Sequence, residues 1–205
     1  MKKASLFFVL QLLCFGTSGT LAQEHIEFEP DYPISSTLGL LAGLDFIRDS
    51  MFKEIYGPSA FFFGAEYTFR YPVKNQHGLD LAVGLRQLKK SGLTSYTGED
   101  TRLRLTTISV SLRYSFEYER FMFYAGPGFD YLMFKETYEK TFPIKAMEGN
   151  DTGFHISAGV SYNIVSLLAV VGYFKYSVAA VESSGFRVDL GGAELGLGLL
   201  YRFEF

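Results

Sequence analysis

The sequence predicts an all-β fold, an eight-stranded antiparallel up-and-down transmembrane β-barrel. Three observations predict it. First, Leu197, Leu199, Tyr201, Phe203 and Phe205 alternate with Gly198, Leu200, Arg202 and Glu204, and the chain stops on the last aromatic. A strict period of two makes one face of a strand apolar. A terminal strand with no polar tail suits a barrel whose outer face meets lipid. Second, Phe and Tyr supply nearly all of a 17% aromatic content, with 21 glycines and 6 prolines, a composition that favours strands. Third, nowhere beyond the leader do 18 consecutive apolar residues occur, which argues against a helical span.

The N-terminus reads as a leader. Lys2 and Lys3 precede an apolar run from Ala4 to Phe15, and small residues lead to Thr20-Leu21-Ala22. This is a signal peptide over 1–22, cut after Ala22. Cys14, the single cysteine, lies inside it, and Leu13 stands where a lipoprotein signal needs a small residue. The mature chain is therefore expected to lack a lipid anchor and any disulfide. Cleavage removes two lysines and no acids from a chain of net charge −3, leaving about −5. That balance offers no basic stripe for nucleic acid. Residues 23–36 are acidic, hold two prolines, and are expected to form a periplasmic lead-in. The barrel domain is placed at 37–205.

Eight alternating segments follow. Strand one, about 37–48, sets Leu38, Leu40, Ala42, Leu44 and Phe46 against Gly39, Gly43 and Asp45. Strand two, about 59–71, sets Phe61, Phe63, Tyr67, Phe69 and Tyr71 against Gly64, Glu66, Thr68 and Arg70. Strand three, about 78–88, sets Leu79, Leu81, Val83 and Leu85 against Asp80, Ala82, Gly84 and Arg86. Strand four, about 106–116, sets Ile108, Val110, Leu112, Tyr114 and Phe116 against Thr107, three serines and Arg113. Strand five, about 121–134, carries Phe121, Phe123, Phe129 and Tyr131 on one face and Tyr124, Gly126, Gly128 and Asp130 on the other. Pro127 predicts a bulge or kink there. Strand six, about 153–163, sets Phe154, Ile156, Val160 and Tyr162 against His155, Ser157, Gly159 and Ser161. Strand seven, about 167–178, allows two parities; Val170, Phe174, Tyr176 and Val178 are taken as one face and Lys175 as the other. Strand eight runs from about Ala193 to Phe205, with Glu194 on its polar face.

Connections alternate in length. Those at about 72–77, 117–120 and 164–166 are short, and those at about 49–58, 89–105, 135–152 and 179–192 are long. Outer-membrane barrels pair short periplasmic turns with long external loops. An even strand number then puts both termini in the periplasm, and loops 89–105 and 135–152 become the expected interaction surfaces.

A soluble lipocalin-like carrier is the alternative placement, with the apolar face inside. Against it, the polar face is rich in Gly and Ser, which suits a crowded narrow lumen. The apolar face is aromatic near strand ends, as girdles at a lipid boundary require. With lipid outside, Glu66, Arg70, Asp80, Arg86, Arg113, Asp130, Lys175, Glu194 and Arg202 point into the lumen. Eight strands leave room only for side chains, and buried ions must pair. The expectation is a plug of ion pairs, with a proton or small-ion path as the functional alternative.

The pattern resembles the small outer-membrane β-barrel family that includes OmpX- and OmpA-like eight-stranded domains, over about 37–205. Phe123-Tyr124-Ala125-Gly126-Pro127-Gly128-Phe129 and the terminal strand carry the resemblance. Gly198, Tyr201 and Phe203, with Phe205 ending the chain, look like the Gly-x-x-aromatic-x-aromatic signal read by the barrel-assembly machinery. Gly196 replaces the large polar residue usual two places earlier. Leu38 to Phe46 is similar to the first strand of PorT-like barrels of the Bacteroidetes. The resemblance implies the outer membrane of a Gram-negative cell, contact with outer-membrane lipid, and roles such as adhesion, secretion or envelope support through extracellular or envelope partners.

One enzymatic alternative arises. Lipid A deacylases of similar size use a His-x-Ser pair with a glutamate, and His155-Ile156-Ser157 matches the pair. Here that face points into the lumen, Ala158 replaces the asparagine that usually follows, and Glu182 and Glu194 are too far along the chain. No cofactor motif and no metal spacing is expected: His25, His77 and His155 lie on separate segments.

Overall fold

A computed structural model describes residues 34–74, 76–93, 98, 100–138, 146–183 and 186–204. The expected leader, most of the lead-in and Phe205 lie outside the described residues.

The strands are β1 (Ser35–Ile47), β2 (Ala60–Lys74), β3 (His77–Leu93), β4 (Asp100–Tyr118), β5 (Phe121–Tyr138), β6 (Ala146–Val165), β7 (Leu168–Ser183), β8 (Phe186–Asp189) and β9 (Gly192–Glu204). Each of β1 to β7 pairs antiparallel with its successor, β9 pairs with β7, and β9 meets β1 to close the ring. The barrel wall is therefore eight strands, as expected. The short β8 is a hairpin folded onto the end of β7, Ala180–Ser183 against Phe186–Asp189. No helix among the described residues is long and apolar enough to cross a membrane.

The period-two faces fall as lipid outside. Leu197 and Phe154 are 72% and 71% exposed, and the apolar rows of β1 to β7 are exposed with them. Asp80, Arg113, Asp130, Lys175 and Glu194 are buried. This is the reverse of a soluble carrier barrel, whose apolar face lies inside. On β7 the parity is the one chosen, with Val170, Phe174, Tyr176 and Val178 outward and Lys175 in.

Inward glycines make room for large lumen side chains. A Cβ on Gly128 would sit 2.3 Å from the His155 ring, and one on Gly159 would sit 2.5 Å from Tyr124. A Cβ on Gly196 would meet the Tyr173 ring at 2.4 Å.

Three expectations need correction. The segments 89–105 and 135–152 are mostly strand: β3 and β4 stay paired to Leu93↔Asp100, and β5 and β6 to Thr137↔Ala146. The first long connection, 49–58, contains a helix, α1 (Ser50–Tyr56). Asp49 caps it, its side chain accepting from the Phe52 amide at 2.9 Å, and Gly57 at φ 82° ends it in a conformation that suits glycine. Finally, of the bulge or kink expected at Pro127 the bulge is absent, since the register does not shift. Ser111↔Gly128 and Tyr114↔Ala125 lie on one alignment, with two rungs missing between them, and Pro127 still faces Ile156 on β6. The register shifts that do occur lie at Pro72/Lys74 and Asn163/Val165, beside short turns.

Candidate functional site

Among the described residues the lumen gathers the buried charged side chains, and it has two storeys. The lower one is ionic. Near the short-turn end Arg70 and Arg202 share Glu117, at 3.0 and 3.3 Å. Above them Ser115 donates to Asp80 at 2.8 Å, with Arg70 at 4.0 Å. At mid-height Arg113 grips Glu66 with two bonds of 2.6 Å, and its guanidinium lies 4.7 Å from the Tyr124 ring centre. This is the bidentate fork that makes arginine suited to buried carboxylates. Lys175 donates to Asp130 at 2.8 Å. Higher still Arg86 contacts Glu194, lies 3.8 Å from Asp45, and Tyr173 donates to Glu194 at 2.7 Å.

All nine residues that the sequence places in the lumen thus meet an oppositely charged partner. Sequence reasoning passed over two further acids, Asp45 and Glu117. Asp45 shares the parity of Gly39 and Gly43, which was the available signal; Glu117 fell within an expected turn.

The upper storey is apolar. Phe62, Leu88, Leu103, Leu105, Leu132 and Ala179 point inward and pack with Ile47, Ala60, Leu190 and the buried Phe52 and Tyr56 of α1. The helix is latched there by Tyr56, whose hydroxyl contacts Glu136 and lies 3.1 Å from the buried Thr101. Burial first, and the Glu136 carboxylate second, push that hydroxyl well above the ordinary phenol range. A second tie joins Arg48 to Asp189, while Asp49 accepts from the Asp189 amide at 3.3 Å.

His155 is not paired with Ser157. Its Nε2 lies 2.9 Å from Ser111 Oγ and its Nδ1 lies 3.1 Å from Asp130 Oδ1, whereas Ser157 only approaches the Gly126 carbonyl at 3.5 Å. Asp130, His155 and Ser111 therefore stand in the order of a nucleophile relay. The adjoining void, lined by Glu66, Arg86, His155 and Lys175 among others, has a volume of about 30 Å³. That is room for a few waters and smaller than the pockets that hold an ester substrate. Among the described residues no group of three or more His, Cys, Asp or Glu side chains is arranged to hold a metal.

A closed ring of lipid-facing strands around a filled lumen defines an integral barrel of a bacterial outer membrane. The chain belongs to the outer membrane protein beta-barrel domain family, whose family model matches residues 13–203. It resides in the outer membrane of a Gram-negative envelope. No curated protein sequence matches it. Among solved structures, the fold is similar to Neisserial surface protein A, at 18% identity and TM-score 0.59, covering 82% of this chain and 97% of that one. It is also similar to Ail, the attachment invasion locus protein of Yersinia pestis, solved in complex with the heparin analogue sucrose octasulfate. That match has 16% identity and TM-score 0.55, over 83% of this chain and 99% of that one. A major outer membrane protein of Thermus thermophilus matches at 16% identity and TM-score 0.54, over 82% of this chain and 99% of that one. At these identities the likeness is one of fold.

Proposed function

We propose that this protein is a non-enzymatic, non-conducting outer-membrane barrel that works through its long-loop end, binding a partner at the cell surface or bracing the envelope. The cap carries this reading. α1 seals the long-loop mouth with Phe52 and Tyr56 on an apolar core, where a porin would keep a polar, water-filled passage. Below it, paired ions fill the lumen. In this family short turns face the periplasm and long loops the exterior, so α1 presents Met51, Lys53 and Glu54, all exposed, to the outside. By analogy with the heparin analogue bound to Ail, anionic glycans are one class of partner to screen. Gly198, Tyr201, Phe203 and Phe205 serve as the assembly signal; β9 holds Tyr201 and Phe203 in an edge-to-face contact, ring centres 4.8 Å apart.

Two measurements test the reading. In planar bilayers the purified protein is expected to give no steady conductance; regular single-channel steps would contradict closure. In cells, a Met51→Ala/Lys53→Ala/Glu54→Ala variant that still shows heat-modifiable gel migration is expected to reproduce the deletion strain in surface binding or detergent sensitivity. Wild-type behaviour in both assays would remove the long-loop end as the working surface.

A further inference from the structure

On the outer wall of β3 to β6 the ladder registers bring one row of charges into line. Lys89 faces Arg104, Arg104 faces Lys135, and Lys135 faces Glu148. All four are exposed. Lys135 contacts Glu148, while Lys89 and Arg104 show no ion-pair partner among the described residues. The row thus carries three cations and one anion on four adjacent strands spaced about 4.8 Å apart. Like charges directly opposite one another destabilise a sheet, so two such juxtapositions in one row need a compensating anion.

The height of the row says what that anion is. Leu85, Ile108 and Tyr131 are the last exposed apolar residues on β3, β4 and β5 before the row, each four positions away. Four residues at about 3.3 Å, on strands tilted by roughly 40°, place each cation about 10 Å above the last exposed apolar residue of its own strand. Lysine and arginine side chains reach back down toward that residue. This is the layer occupied by lipid headgroups. On the other half of the ring Arg48 is already joined to Asp189.

We propose that Lys89, Arg104 and Lys135 form a phosphate-binding strip for a phosphorylated glycolipid of the outer leaflet. The side wall holds the lipid, and the arginine fork and two ammonium groups take its headgroup phosphate. The strip is separate from the capped end and stands whether or not that end binds a partner.

The test compares unfolding midpoints, read by heat-modifiable migration, in bilayers of phosphatidylcholine alone, with bisphosphorylated lipid A, or with dephosphorylated lipid A. Bisphosphorylated lipid A is expected to raise the wild-type midpoint by about 5–10 °C, the shift for a ligand near 100 times its Kd in a domain of this size. The dephosphorylated lipid should add little, and Lys89→Gln/Arg104→Gln/Lys135→Gln should lose most of the gain. The proposal is overturned if the triple variant keeps the full gain, or if the dephosphorylated lipid works equally well. It is also overturned if millimolar inorganic phosphate, or dextran sulfate added to phosphatidylcholine bilayers, stabilises the wild type as much; the strip would then serve a free anion or a soluble glycan. Should the triple variant fail to fold, two further measurements decide. Phosphorus NMR of lipid A bilayers should show a shifted or broadened phosphate signal with wild-type protein, and Glu148→Gln, which releases Lys135, should enlarge that effect. An unchanged signal in both refutes the strip.

Discussion

Arg113 and Glu66 illustrate how this lumen tolerates charge. Both are largely withdrawn from solvent, with side chains 8% and 16% exposed, and each oxygen of Glu66 receives one guanidinium N–H. A buried pair is weak as a source of stability, but removing one partner strands the other. Arg113→Ala is therefore expected to destabilise by roughly 3–5 kcal/mol, measured by urea unfolding in detergent micelles, and the Arg113→Met/Glu66→Leu double variant should recover much of that. Gly128 sets a steric limit nearby. A methyl group there would enter the His155 ring and pull the imidazole from Ser111 and Asp130. Gly128→Ala should cost about 1–3 kcal/mol by overpacking, read in the same unfolding assay. Ser111→Ala, in contrast, should leave the lipid A of expressing cells unchanged by mass spectrometry. A lost modification would revive the relay as an enzyme.

Among the elements, α1 and the upper hairpins were the hardest to read. The eight strands were legible because lipid outside and polar lumen inside impose an unbroken alternation. The long-loop end obeys a different rule. In Thr101-Arg102-Leu103-Arg104-Leu105 the leucines point inward and the arginines outward, the pattern of a strand in water. Reading every apolar row as lipid-facing turned that inversion into a loop. The nine lumen charges were legible by parity alone, but His155 could not be assigned to Ser111, because partners across the ring follow from register and curvature. The helix spans only seven residues, too short for a hydrophobic period to stand out. Its role makes a prediction at this scale. Phe52→Ala should weaken the cap by about 3 kcal/mol, opening that end locally while the ring persists. Limited proteolysis should cleave the long-loop end faster with unchanged heat-modifiable migration. Alkali should act on the same latch. The Tyr56 hydroxyl titrates higher folded than unfolded, so its contribution is complete below about pH 10 and falls as pH rises beyond it. Tyr56→Phe should remove that pH dependence of proteolysis.

As a whole, the molecule is built against two solvents. Lipid wets the Leu, Phe and Tyr rows of the lower wall, and water wets the charged rows above, so the apolar side chains cross from the outer to the inner face of the same strands. On β2, Phe61 to Tyr71 spans about 26 Å of bilayer depth at the usual rise and tilt, close to the band expected for such barrels. The crossover acts as a waterline painted on a hull. A shift of one rung, roughly 5 Å, would draw Lys89 and Arg104 halfway down toward the oil or lift Leu85 and Ile108 out of it. The protein has one draught, and it is the surrounding sheet of acyl chains that must stretch or pinch to match it.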